Sequence, residues 1–115
     1  MNRDITVSIL LDFYGKLLTE KQVNALDLYY NMDYSLSEIA EHIGVTRQGV
    51  RAFIKMGEEH LYSLEEKLGM AKRYADIQSA AEKIAALSEK IENHEISVNI
   101  QTFVDDIFKA NDMEL

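Results

Sequence analysis

The chain has 115 residues, with 20 acidic against 12 basic side chains and a net charge of −8, which excludes a protein that holds nucleic acid by bulk positive charge. It contains no cysteine and no proline, so disulfides, thiol catalysis and cysteine-ligated zinc are excluded and long helices are favoured over turn-rich sheets. Hydrophobic residues make up 47%, enough to pack the core of one domain, alone or with an appendage. No long apolar run follows Arg3 at the start, and no stretch approaches a membrane span. The expectation is a soluble, cytoplasmic protein with no membrane insertion.

In chain order, Asp4 is placed to cap a first helix with Ile5, Ile9, Leu10, Phe13, Tyr14 and Leu17 on its apolar side, weakened near its end by Gly15. Thr19 and Gln22 form a capping box, in which a hydroxyl and a side chain three residues on satisfy each other's backbone N–H groups. The helix they open is expected to bury Val23, Leu26 and Tyr30, with Leu28 and Tyr29 at its boundary. Residues 31–34 read as a loop.

Residues 35–54 carry the densest signal, a helix-turn-helix. Ser35 and Glu38 form a second capping box, and Ala40 is small where two helices would cross. Gly44 ends the first helix, where a left-handed backbone is needed. Val45 plugs the turn, and Thr46 caps the second helix. Ile39, Ile43, Val50 and Ile54 supply the buried set, which leaves Arg47, Gln48, Arg51 and Lys55 on the outer face. No acidic residue interrupts positions 44–57. In this arrangement the second helix enters the major groove of double-stranded DNA, its N-terminal residues nearest the base edges. Two short helices meeting at a glycine would give part of this pattern, but not the joint set of caps, small residue, glycine and plug.

Beyond Ile54 the helical pattern continues through Leu61, Leu64 and Leu68, with Gly57 and Gly69 as bends or ends. A long helix is expected from about residue 70 to 93, where Met70, Ile77, Ile84 and Ile91 recur every seven residues beside Ala80 and Leu87. Tyr74 and Ala81 widen that stripe, and Arg73 weakens it. Two readings fit: a seam packed within the chain, or the interface of a homodimer. A last helix from near Ser97 carries Ile100, Phe103, Val104, Ile107 and Phe108 at helical spacing, which either closes the core or docks on a partner. The candidate partner surface is therefore Ile77, Ile84, Ile91, Phe103, Ile107 and Phe108. The acids of this region, among them Glu82, Glu89, Asp105, Asp106 and Glu114, either keep the surface solvated or face a basic partner. The expected division is a helix-turn-helix domain over residues 1–68 and a helical extension over 69–115.

Catalytic and metal chemistry find no support in the residues. His42, His60 and His94 lack neighbours at metal-ligand spacing. Asp105–Asp106 and Glu58–Glu59 are adjacent pairs that point to different sides of a helix, so neither is a carboxylate dyad. No nucleophile elbow or phosphate-binding loop is present. The chain reads as a non-enzymatic, all-α protein that needs no cofactor.

Leu18, Thr19, Gln22, Leu26 and Tyr29, followed by residues 34–40 and 45–50, resemble region 4 of bacterial sigma factors, a helix-turn-helix of the winged-helix-like class without a wing. More closely, the chain resembles the small bacterial YlxM/p13 (UPF0122) family, in residues 11–19, in Leu28, Tyr29 and Tyr30, in residues 33–36 and in Ile54 and Lys55. The resemblance covers the N-terminal two thirds; the last third is alike only in being helical and charged. It implies a DNA-binding regulatory protein, with Thr46, Arg47, Gln48, Arg51 and Lys55 facing the groove. It also implies a link to the signal recognition particle pathway, whose GTPase and receptor genes neighbour those of the family. An adaptor binding that particle's RNA or protein components, through the basic helix or the acidic C-terminal helices, is the alternative. The chain departs from the family pattern at Gly49, where alanine is common, and at Met56 and Gly57, where a basic residue often follows the lysine.

Overall fold

A computed structural model describes residues 4–112, which form six α-helices and, among the described residues, no strand. Arg3 and Glu114, named above for their charge, lie outside the described residues. The helices are α1 (Ile5–Tyr14), α2 (Glu20–Tyr30), α3 (Leu36–Ile43), α4 (Arg47–Leu68), α5 (Met70–Ser88) and α6 (His94–Asn111), with a single 3-10 turn at Gly15–Leu17. None of them is long and apolar enough to cross a membrane. The chain divides into two compact units, the first ending at Ala71 and the second beginning at Lys72.

In the first unit the helix starts follow the local chemistry read from the sequence. Asp4 accepts from the Thr6 N–H at 2.9 Å and opens α1. Thr19 and Gln22 close their capping box at the start of α2, as Ser35 and Glu38 do at the start of α3. The buried side of α1 is different from the one expected. Val7, Leu10, Leu11 and Tyr14 face the core, whereas Ile5 and Ile9 are exposed, as is Leu17 in the turn that follows. Both sets repeat at helical spacing, so the apolar pattern of this helix fits two faces, and only the surface presented by its neighbours selects one.

The core lies between α1, α2, α3 and α4, centred on Tyr14, Ala25, Leu26, Ile39, Val50 and Leu61, all essentially inaccessible to water. Gly57 does not bend α4, which runs unbroken for 22 residues. It is buried, and a Cβ there would lie 2.6 Å from Leu26 Cδ1 and 3.3 Å from its Cγ. The missing side chain is thus a packing device that lets α2 lie against α4. At the other end of α4, Gly69 has φ 61°, the left-handed conformation that ends the helix. Tyr14 ties this junction together. Its hydroxyl donates to Glu65 Oε1 at 2.5 Å and accepts from the Met70 N–H at 3.0 Å, while the Ala71 N–H donates to the same carboxylate oxygen. The first N–H groups of α5, which have no partner within that helix, are satisfied in this way. Burial, and then the hydrogen bond to Glu65, raises the Tyr14 phenol above its ordinary range, so the hydroxyl stays protonated.

The second unit is an antiparallel pair formed by α5 from Lys72 onward and by α6. The expected helix over residues 70–93 stops at Ser88, whose hydroxyl turns back to the Ala85 carbonyl at 2.7 Å. The next helix starts at His94 rather than Ser97, because Asn93 caps it by accepting from the Ile96 N–H. Ile91 consequently lies in the connection and not on the helical seam. The inner line is one column away from the isoleucines. The Ser97 hydroxyl donates to the Ser88 carbonyl at 2.8 Å, and the Asn111 amide donates to the Tyr74 carbonyl and to Gln78 Oε1. Between these ties Ala81 and Val104 are buried. Tyr74, Ala81 and Ser88 on one helix and Ser97, Val104 and Asn111 on the other each recur every seven residues, in matching antiparallel register. Small side chains let the two helices approach, and Ile77 and Ile84 are left exposed.

Two outcomes test this account. Gly57→Ala adds about 1 kcal/mol of helix propensity but overpacks against Leu26 at a cost of about 1–3 kcal/mol. The variant is expected to unfold at lower urea than the parent, while in a Leu26→Ala background the same change raises the midpoint; equal effects in both backgrounds would refute the contact. The Ser35 N–H, donating to Glu38, holds that carboxyl below the ordinary glutamate range. Its folded-state value is depressed, so the stabilisation is present at neutral pH and is lost as pH falls through that value. Glu38→Gln keeps an acceptor without the charge, so its stability should fall less on acidification than the parent's, read from thermal unfolding across the carboxylate range.

Candidate nucleic-acid interface

The turn between α3 and α4 fixes how α4 is presented. Gly44 has φ 75°, and its N–H and that of Val45 both donate to the Ala40 carbonyl at 3.0 and 3.1 Å. This left-handed ending needs a residue without a Cβ. Thr46 then begins α4 by accepting from the Gly49 N–H at 3.0 Å, a cap worth about 1 kcal/mol. Ile39 and Val50 are fully buried, and Ile43 and Val45 pack partly buried against the same core. The two helices are therefore locked at their crossing by the residues that the sequence pattern singles out.

On α4 the buried column is Val50, Ile54, Gly57 and Leu61. Beside it run Arg47, Arg51 and Lys55, spaced four residues apart and hence one above another on the helix surface. Thr46, Arg47, Gln48, Arg51 and Lys55 are all exposed, with Gln48 on the neighbouring column. Among the described residues, Arg47, Arg51 and Lys55 form no ion pair and no side-chain hydrogen bond. The first turn of α4 contains no acid, whereas those of α2 and α3 contain Glu20 and Glu38. The partial positive charge at the start of α4 is therefore not offset by its own first turn. On α2, Lys21 Nζ lies 5.9 Å from the centre of the Phe53 ring, which adds one cation beside α4 that sequence reasoning did not single out.

The column of cations ends at Glu58, three residues after Lys55. Its Oε1 accepts a hydrogen bond from the Tyr30 hydroxyl. Tyr29 and Tyr30 meet edge to face, with ring centres 5.0 Å apart. Together with Leu36, Arg51, Ile54 and Lys55 they line an open cleft of about 340 Å³. Two of the groove-facing candidates thus also border a cleft. From the sequence, Tyr30 is expected on the buried side of α2 and Tyr29 at its boundary; in the structure Tyr30 is half-buried, and the sequence alone links neither tyrosine to Glu58. That link joins residues 28 positions apart and has no periodic signature. Burial, and then the hydrogen bond to Glu58, raises the Tyr30 phenol. Among the described residues no group of three or more histidines or carboxylates could hold a metal ion.

Comparison with known proteins fits this geometry. Residues 1–106 match the model of a family described as "Putative helix-turn-helix protein, YlxM / p13 like". A UPF0122 protein of Acetivibrio thermocellus is 44% identical over 98 residues, which cover 85% of this chain and 84% of the relative. Another from Clostridium kluyveri is 41% identical over 107 residues, covering 90% and 96% of the two chains. A third, from Clostridium perfringens, is 39% identical over 106 residues, covering 92% and 93%. With a helix-turn-helix in place and these matches running along nearly its whole length, the chain belongs to the UPF0122 family of YlxM/p13-like helix-turn-helix proteins.

Proposed function

We propose that this protein is a cytoplasmic regulator that binds double-stranded DNA, with α4 as its recognition helix. The observation that carries this reading is the exposed column Arg47, Arg51 and Lys55 on the second helix of the helix-turn-helix, free of ion pairs among the described residues. Arg47, Gln48 and Arg51 lie nearest the helix start and read base edges; arginine on guanine and glutamine on adenine are bidentate pairings worth about 1–3 kcal/mol each in discrimination. Thr46 and Lys55 hold phosphates. The net charge of −8 limits non-specific affinity, so binding depends on this one face. Arg47→Ala combined with Arg51→Ala is expected to abolish duplex binding while leaving the circular dichroism spectrum unchanged. Wild-type affinity in the folded double variant would refute the assignment. Across a salt series the parent's binding should weaken steeply, since it depends on phosphate contacts.

The second unit supplies a dimer surface in this reading. Ile77, Ile84 and Leu87 on α5 and Ile96, Phe103 and Ile107 on α6 are exposed. In the antiparallel pair both sets are offset in the same sense from the inner column, so they share one side. Glu82, Glu89 and Asp105 lie on the other. An apolar side two helices wide and about 25 Å long covers about 500 Å² per copy, close to the lower limit of a specific dimer when two copies pair. Pairing gives a four-helix bundle and two recognition helices, which doubles the phosphate contacts. Ile91 and Phe108 are half-buried; Ile91 lies in the connection, and Phe108 is offset from Val104 toward the Asp105 side, so neither adds to this surface. Phe103→Glu is expected to convert a dimer to a monomer in sedimentation and to weaken duplex binding; a parent that sediments as a monomer at high concentration would refute the interface.

The acidic side of this pair favours a second reading, an adaptor that docks on basic faces of the signal recognition particle. Co-purification that withstands high salt and the Arg47→Ala, Arg51→Ala change would support it over DNA binding.

A further inference from the structure

The cleft beside α4 combines three recognition chemistries. Tyr29 and Tyr30 offer an aromatic wall, Arg51 and Lys55 offer cations, and Glu58 offers a carboxylate. Its volume of about 340 Å³ lies at the small end of ligand sites and suits one nucleotide rather than a dinucleotide. Arg51 and Glu58 are seven residues apart on α4, a rise of about 10 Å, comparable to the reach from a base edge to its own phosphate. Glu58 is oriented by the Tyr30 hydroxyl, which donates to one of its oxygens. A carboxylate has about four acceptor positions, so capacity remains for a second donor pair.

We propose that this cleft is a mononucleotide site, with the base against Tyr29, the phosphate on Arg51 and Lys55, and Glu58 accepting from the base edge. Guanine is the preferred base, because it presents two adjacent N–H donors to one carboxylate, whereas the adenine amino group presents one. The nucleotide comes either free or as an unpaired residue of a nucleic-acid strand. Either source occupies Arg51 and Lys55, so a bound free nucleotide competes with duplex DNA. That competition rests on the DNA-binding reading; the nucleotide site itself does not. The Tyr30 phenol, raised by burial and by Glu58, stays protonated and keeps the carboxylate in place.

The test titrates the full chain with guanosine monophosphate, adenosine monophosphate and inorganic phosphate, followed by calorimetry and by amide NMR shifts. The expected result is saturable guanosine monophosphate binding, at least fivefold tighter than adenosine monophosphate. Shifts should centre on Tyr29, Tyr30, Leu36 and Lys55. Glu58→Gln should lower guanosine monophosphate affinity about tenfold and bring it level with adenosine monophosphate. Tyr29→Leu, which keeps the apolar bulk, should weaken both. Absence of binding at millimolar guanosine monophosphate, shifts elsewhere, or inorganic phosphate binding equally well would overturn the site. Duplexes with and without an unpaired guanosine at one end separate the sources: tighter binding of the overhang identifies a strand nucleotide, and equal binding a free one. Blunt-duplex binding is measured in parallel. Its loss alongside intact nucleotide binding refutes only the DNA reading, and the converse result refutes only the cleft.

Discussion

The helix-turn-helix depends on how closely α2 lies against the middle of α4, and that approach depends on Gly57. Leu26 occupies the space where a Cβ would stand. With α4 held there, its buried column runs through Val50, Ile54, Gly57 and Leu61, and the neighbouring column of cations is directed outward. A 22-residue helix with a mid-helix glycine is costly by propensity alone, by about 1 kcal/mol. Burial of Leu26 and its neighbours offsets that cost, since a fully buried leucine contributes about 1.5–3 kcal/mol.

Charge is organised within α4 itself. Its first half carries Arg47, Arg51 and Lys55, and its second half carries Glu58, Glu59, Glu65 and Glu66. Two of these acids have a local setting. Glu58 is held by Tyr30, and Glu65 receives Tyr14 and the start of α5. A chain of net charge −8 thereby keeps one short basic face at the start of its second helix-turn-helix element. Within a Debye length of about 8 Å at physiological salt, an anion near this face meets that local field and not the overall charge.

The second unit shows why a seven-residue repeat alone does not select a packing face. Its two helices carry several columns at that interval. The bulky one, Ile77 and Ile84, satisfies hydrophobicity, whereas the small one, Ala81 and Ser88, permits close approach and polar ties at both ends. Close packing and hydrogen-bond satisfaction select the second within the hairpin, and the isoleucines are left as a surface.

Local chemistry was legible in the residues themselves. The caps at Asp4, Thr19, Ser35 and Thr46 and the left-handed Gly44 depend on neighbours within a few positions, so the string of amino acids by itself determined where α1 to α4 begin and how the turn is made. It also determined which side chains of α4 remain exposed, because Val50 and Ile54 leave only one other face. The end of α5 at Ser88 and the start of α6 at His94 were less legible, since an unbroken polar helix and a capped break differ there by a few hydrogen bonds. Only the tertiary structure decided the rest. It selected Val7 and Leu11 over Ile5 and Ile9, set Gly57 against Leu26, brought Tyr30 to Glu58 and Tyr14 to Glu65, and chose the inner column of the hairpin. Each of these joins residues distant in sequence, whose partners are defined by the shape of opposing surfaces and not by any repeat along the chain.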